Sequence, residues 1–132
     1  MRFLLIGACL LTATPTLAKQ ADCFGTASDS IFSRDIQPIF DNYCVSCHQD
    51  RAAASGLSLQ KGTAARALPN ALSREGGGNL VVPGNAEASF LYRKLTNTQG
   101  KGKGERMPLA GQLSTKDLSK VSDWINSCKL KK

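Results

Sequence analysis

Two thiols and an imidazole lie close together in the stretch 44–48, which has the sequence Cys-Val-Ser-Cys-His. In a C-x-x-C-H motif, both thiols can add across the vinyl groups of a haem, giving thioethers that do not dissociate. Two intervening residues suit one helical turn, which presents both sulfur atoms to the same porphyrin edge. The adjoining imidazole then lies beneath the iron as its proximal ligand. We therefore predict one covalently attached haem c, held by Cys44 and Cys47, with His48, the only histidine, on the iron.

Three other kinds of site share parts of this motif. A thioredoxin-like redox pair is expected beside a βαβ pattern, which the sequence does not show. A structural zinc site needs about four nitrogen or sulfur ligands, and the chain has no second pair of that type. A buried disulfide between Cys44 and Cys47 is the plainest alternative. We favour the haem site because the chain has the features of an exported protein.

The sixth position on a haem iron needs a second ligand, for which Met107 is the candidate. Once residues 1–18 are removed, it is the only methionine left. It ends a loop of glycines and lysines and precedes Pro108, which is an unusual place for a methionine that fills a core. A thioether ligand is common in electron-transfer cytochromes and raises the reduction potential. We predict that His48 and Met107 both bind the iron; an open or water-bound iron is the alternative.

Residues 1–18 have the pattern of a signal peptide cleaved after Ala18. A positive start is followed by an apolar run at 3–11 and by small residues at 16–18. The apolar run is well short of the ~20 residues that a membrane-spanning helix needs. A lipoprotein cleavage box ending at Cys9 is the minor alternative. We predict export to the periplasm, with a lead-in at 19–30, one domain at 31–128 and a basic tail at 129–132.

Helical periodicity dominates the part of the chain after the signal peptide. Apolar residues at 36, 39, 40 and 43 predict a helix capped by Asp35 that carries Pro38 in its first turn. Further helices are predicted at 86–95 after an Asn85 cap and from Ser114 onward, and the Ala-rich stretch 63–72 predicts a short helix interrupted by Pro69. Extended chain is predicted at 31–35 and 57–60, and a turn at 76–78. The sequence therefore predicts an all-α domain.

Several segments resemble those of the small monohaem cytochrome c domains often called planctomycete-type. These segments are Phe32-Ser33-Arg34-Asp35-Ile36-x-Pro38-Ile39-Phe40 before the C-x-x-C-H motif, Gly56-Leu57-Ser58-Leu59, Val82-Pro83-Gly84, Ser89-Phe90-Leu91, Met107-Pro108, Leu113-Ser114, Asp117-Leu118 and Trp124-Ile125. The resemblance implies a small cytochrome c-like helical domain wrapped around one covalently bound haem, with long loops. It also implies that Met107 is the methionine ligand. The sequence differs in having Leu109 where the family commonly has a second proline, and in its additional Cys23 and Cys128.

Those two additional cysteines predict a disulfide bond. Of five cysteines, Cys9 leaves with the signal peptide and two take the haem, so that Cys23 and Cys128 remain. Both enter an oxidising compartment, where disulfides persist. Cys128 lies on the inward stripe of the last helix, and the two ends of a cytochrome c fold pack together. Two free thiols, or an intermolecular link, are the alternatives.

The formal charge of +7 becomes +6 without Arg2, and two ionised haem propionates would leave about +4. Such a surface favours acidic protein partners or anionic lipid headgroups. No basic helix or aromatic-interleaved stripe indicates nucleic acid. Candidates to hold the propionates, chosen by type and position, are Arg93, Arg106 and Trp124.

We predict a single-haem electron carrier between redox partners rather than an enzyme, because two protein ligands leave no vacant position on the iron. One alternative is a haem sensor or peroxidase-like domain whose sixth coordination site opens. Another is a fixed redox module of a larger complex.

Overall fold

The computed structural model describes residues 23–25 and 30–129, so the predicted signal peptide lies outside the described residues. In chain order the elements are a π-helix at Phe32–Ile36, α1 at Gln37–Tyr43, a 3₁₀ turn at Ala54–Gly56, α2 at Ala64–Ala67, α3 at Phe90–Thr96 and α4 at Thr115–Ser127. Over these ranges there is no strand, only an isolated antiparallel bridge between Leu72 and Asn79. The described part is helix-rich with long loops, which agrees with the all-α prediction. None of its helices is long and apolar enough to cross a membrane.

The first helical segment begins earlier than predicted. Residues 31–35 were expected to be extended, but Phe32–Ile36 forms a π-helix in which the Gln37 N–H donates to the Phe32 carbonyl. Phe32 and Ile36 are both buried. Residues four apart share one face of a helix, whereas adjacent residues alternate on a strand. An alternating pattern of only five residues was too short to distinguish a strand from a helix. Pro38 lies in the first turn of α1, as predicted.

The last helix agrees with its prediction. The Ser114 hydroxyl oxygen accepts a hydrogen bond from the Asp117 N–H at 3.1 Å and so caps α4. Its inward stripe buries Val121, Trp124 and Ile125. Because this stripe faces the first helical segment, α4 forms one wall of the core.

An aromatic cluster joins the two ends of the chain. The Trp124 ring centroid lies 5.4 Å from that of Phe24, 5.5 Å from that of Phe32 and 6.5 Å from that of Phe40. The Trp124 indole N–H donates to the Cys23 carbonyl at 2.9 Å. The predicted disulfide between Cys23 and Cys128 is present, with a Cα–Cα distance of 4.9 Å.

The two middle helices are short. The short helix predicted within 63–72 is α2, and it ends before Pro69, because proline has no backbone N–H to donate to the carbonyl four residues earlier. The helix expected at 86–95 begins at Phe90. Asn85 instead caps a preceding turn by accepting from the Ala88 N–H at 3.0 Å. The Ser89 hydroxyl donates to the Asn85 carbonyl at 2.7 Å, and this local bond competes with a continuous helix.

Candidate cofactor site

A cavity of about 590 Å³ opens between α1, α3 and the loops that follow them. Its volume falls in the range of roughly 300–1,000 Å³ that is typical of small-molecule sites. All four residues singled out in the sequence, Cys44, Cys47, His48 and Met107, line it. Most of the remaining wall is apolar, with contributions from Leu57, Leu59, Leu80, Phe90, Leu91 and Leu95. The fold therefore gathers the candidate ligands around one largely apolar space.

The two cysteines lie in the turn that ends α1. The N–H groups of Cys47 and His48 both donate to the Cys44 carbonyl, at 3.1 and 2.9 Å, which curls the motif into a tight turn. The bond from His48 to Cys44 closes a single helical turn beyond the end of α1, and both cysteines line the cavity. Cys47 is exposed and Cys44 is partly buried. Burial raises the pKa of the Cys44 thiol to about 12.

The orientation of the His48 imidazole is set by the backbone. Its Nδ1 lies 3.0 Å from the Leu57 carbonyl oxygen. Because a carbonyl oxygen can only accept, Nδ1 carries a proton, so in the neutral imidazole Nε2 is the nitrogen with the lone pair. A second bond, from the Leu59 N–H to the His48 carbonyl at 2.8 Å, holds the extended stretch 57–59 alongside the motif. The imidazole therefore has the tautomer of a ligand that binds a metal through Nε2.

Met107 reaches the cavity from the loop that follows α3. Its backbone N–H donates to the Lys94 carbonyl at 2.9 Å, which ties this point of the loop to the helix. The side chain is partly buried and packs against the core. The structure thus places a thioether and an imidazole in the walls of the same cavity.

Three ionic side chains besides the histidine line the cavity. Glu75 and Lys94 form an ion pair at 2.9 Å. Arg74 has no ion-pair partner among residues 23–25 and 30–129, and its guanidinium lies against the backbone of Gly56. A Cβ added at Gly56 would lie only 2.5 Å from Arg74 Cζ, and Gly56 has a φ of +68°, so this close approach depends on glycine.

The three sequence-based candidates for the haem propionates lie outside the cavity wall, and their role stays a prediction. Arg93, Arg106 and Trp124 do not line the cavity. Arg93 donates to the Gly77 carbonyl, and Arg106 donates to the Gly111 carbonyl at 3.0 Å. Trp124 is 1% exposed and its N–H already has the Cys23 carbonyl as its acceptor. Type and position along the chain could not distinguish these side chains from Arg74, since nothing local in the sequence places residue 74 against Gly56.

Lys94 was also missed, although the sequence held a signal for it. It lies among Phe90, Leu91 and Leu95 on the apolar face of α3, where a lysine is unusual. In the structure it is 6% exposed.

The side chains present fit a haem c. Two thiols, an imidazole with its Nε2 lone pair available and a thioether line one apolar cavity, and Arg74 offers a cation for an anionic substituent. A zinc ligand set is a poorer fit, because within the described ranges no three His, Cys, Asp or Glu side chains gather as metal ligands.

Comparison with known proteins agrees with this chemistry. Residues 44–108 match the family described as Planctomycete cytochrome C. The matched stretch begins at Cys44 and ends at Pro108, so it contains the C-x-x-C-H motif, the extended stretch beside His48 and Met107. No curated protein and no solved structure matched the chain.

Proposed function

Because residues 44–108 belong to the planctomycete cytochrome C family, we propose that this protein is a periplasmic single-haem c-type cytochrome that carries electrons between redox partners. The observation that carries the proposal is the His48 imidazole. Its Nδ1–H is held by the Leu57 carbonyl, and it lies in the wall of a cavity that both thiols and Met107 also line. A histidine that only fills the core would not be expected to share one cavity with two thiols and a thioether.

When bound, the haem would supply a reversible one-electron change between ferrous and ferric iron. Cys44 and Cys47 would hold it by adding their S–H bonds across the two vinyl groups. Each addition forms one C–S bond and moves the thiol hydrogen to the neighbouring carbon, so no oxidant is required. His48 Nε2 and the Met107 sulfur would bind the iron. With both in place no position is left for a substrate, which is why we propose a carrier and not an enzyme.

The cavity walls would tune the reduction potential in two ways. Apolar side chains, among them Leu59, Leu91 and Leu95, exclude water and lower the local dielectric constant. The Met107 thioether raises the potential relative to a more basic ligand.

Arg74 is the residue that we assign to a haem propionate. Lys94, the other cation of the cavity wall, is already neutralised by Glu75. A guanidinium can bind a carboxylate through two parallel hydrogen bonds, and such charge-assisted bonds are stronger than neutral ones. Gly56 gives the guanidinium room beside the stretch that orients His48.

The proposed partners rest on the charge of the protein, and the proposed location rests on the signal-peptide pattern at residues 1–18. The formal charge of +7, which becomes +6 without Arg2 and about +4 with two ionised propionates, supports docking to acidic surfaces on redox proteins, and it would steer association at low ionic strength. The pattern at 1–18 supports export to the periplasm, where haem c is attached.

Haem retention tests the proposal directly. The mature protein should carry one haem that survives denaturation and acid–acetone extraction. Replacing both Cys44 and Cys47 by Ala should make the haem extractable, whereas Ser46→Ala, within the same motif, should not. Freely extractable haem in the wild-type protein would refute the covalent cytochrome.

A further inference from the structure

The most deeply buried ion in the described structure is on α3. Lys94 is 6% exposed, and its ammonium donates to Glu75 Oε2 at 2.9 Å and to the Lys103 carbonyl at 3.0 Å. It also lies 5.7 Å from the centre of the Phe90 ring. By contrast, the Arg34–Asp35 pair is on the surface, where ion pairs contribute little. A buried ammonium is costly unless it is paired and hydrogen-bonded, so the Lys94 contacts constrain one another tightly.

Two hydrogen bonds of Lys94 involve the loop that presents Met107. The Lys94 ammonium binds the Lys103 carbonyl, and the Lys94 carbonyl accepts from the Met107 N–H at 2.9 Å. One residue therefore holds the loop at its middle and at its methionine.

Glu75 supports the same loop from the other side. Its carboxylate lies so close to Gly104 that a Cβ added there would meet Oε1 at 2.7 Å and Oε2 at 3.0 Å. The Lys103 ammonium reaches back to the Gly76 carbonyl at 2.6 Å. The loop is thus packed onto the ion pair and onto the turn that carries Glu75.

We infer that the Lys94–Glu75 ion pair positions Met107 and thereby keeps the sixth coordination site of the iron closed. Lys94 is a positioning residue here, because it acts through the loop and not on the iron itself. The loop at 97–106 has no regular secondary structure of its own. With several glycines and no helix to support it, the loop depends on these contacts to hold the thioether in place. This inference rests on the proposed function, since it takes Met107 to be the ligand.

A merely stabilising ion pair would change the free energy of unfolding but not the exchange of the iron ligand. Exchange is therefore the quantity to measure. If Met107 binds the ferric iron, its release would let added imidazole bind instead, and the rate of imidazole binding would report how often Met107 is released.

The test uses the holoprotein with Lys94→Met and Glu75→Gln combined, so that neither partner is left as an unpaired buried charge. The double variant loses the bond to the Lys103 carbonyl, and imidazole should bind at least about tenfold faster than to the wild type. Glu75→Gln alone retains that bond and should give a smaller increase. Lys101→Met, at an exposed position in the same loop, is the matched control and should match the wild type.

The possible outcomes distinguish failure of the positioning role of Lys94 from failure of the proposed function. Wild-type imidazole rates in a folded double variant would overturn the positioning role while leaving Met107 as the ligand. If the double variant does not fold, a wild-type rate in Glu75→Gln would overturn it as well. If Met107→Ala itself changes neither the spectrum nor the imidazole rate, the ligand set of the proposed function fails, and the positioning role fails with it.

Discussion

The Nδ1 atom of His48 lies 3.0 Å from the carbonyl oxygen of Leu57, nine residues later in the chain. This hydrogen bond fixes both the ring orientation and the tautomer of the imidazole before any metal is bound. Its acceptor belongs to the backbone, so no side-chain substitution at position 57 removes it. Of the two proposed iron ligands, His48 is therefore oriented by main-chain geometry, whereas Met107 depends on a loop.

That contrast makes Met107 the point at which the iron site is most easily changed. Met107→Ala should abolish the weak red charge-transfer band of the ferric protein and lower its reduction potential, because the thioether favours ferrous iron. Carbon monoxide should then bind the ferrous haem readily. Leu109→Ala, at an exposed cavity-wall position two residues away, serves as the control. Ready CO binding by the wild type would instead favour the sensor or peroxidase-like alternative.

Arg74 should affect the potential through its charge. Arg74→Gln removes a cation from the cavity that would hold the haem. Loss of this positive charge should stabilise ferric relative to ferrous iron, so the reduction potential should fall by on the order of tens of millivolts. The freed propionate should also titrate closer to neutral pH, making the potential more dependent on pH. Spectroelectrochemical titrations across a range of pH provide the measurement.

Two further variants separate charge from geometry at this position. Arg74→Lys keeps the charge but not the paired hydrogen bonds, so its potential should stay nearer to that of the wild type. Arg51→Gln removes an exposed cation that does not line the cavity and should have little effect. Equal shifts in Arg74→Gln and Arg51→Gln would argue against a specific contact.

The Cys23–Cys128 disulfide should contribute to stability without influencing the haem. For a separation of 105 residues, the chain-entropy model gives up to about 4.7 kcal/mol. Replacing both cysteines by Ser should lower the melting temperature and the free energy of unfolding. The haem spectrum should stay the same, because neither cysteine lines the cavity. Mass spectrometry of alkylated, unreduced protein should find no adduct at either position.

The two motif cysteines should differ in reactivity in the haem-free protein. Burial raises the pKa of the Cys44 thiol from 9.0 to about 12, so near neutral pH its thiolate fraction is about 10³-fold below that of an ordinary thiol. Timed alkylation should modify exposed Cys47 first. Because the raised pKa favours the neutral thiol, this contribution to stability is complete below about pH 9 and is lost as the pH rises toward 12. Equal alkylation rates would contradict a folded environment around Cys44.

Local signals in the sequence were sufficient for the parts of the structure that local interactions decide. The C-x-x-C-H motif, the Ser114 cap and the apolar stripe of α4 all depend on residues within a few positions of one another. Counting cysteines was also sufficient for the disulfide, since only Cys23 and Cys128 were left to pair. In each case the chemistry allowed few alternatives.

Contacts between distant segments could not be predicted in this way. The π-helix at Phe32–Ile36 is favoured by burial against Trp124, which lies near the other end of the chain. Arg74 reaches the cavity only because an unrelated loop supplies Gly56, which has no side chain in its path. Lys94 gave a partial signal as a lysine on an apolar face, but its partner Glu75 lies in a turn with no helical or strand periodicity.

The covalent link between Cys23 and Cys128 makes residues 23–128 a closed ring. A single cut anywhere in that ring leaves one molecule, with a new pair of chain ends at the cut. If a protease cleaves after exposed Lys101, the new ends lie in the loop that carries Met107, while the disulfide keeps that loop covalently joined to His48, Cys44 and Cys47. The nicked protein would fall into two pieces only after reduction. A cut in the peptide chain between Cys23 and Cys128 therefore does not release a fragment until the disulfide is also reduced.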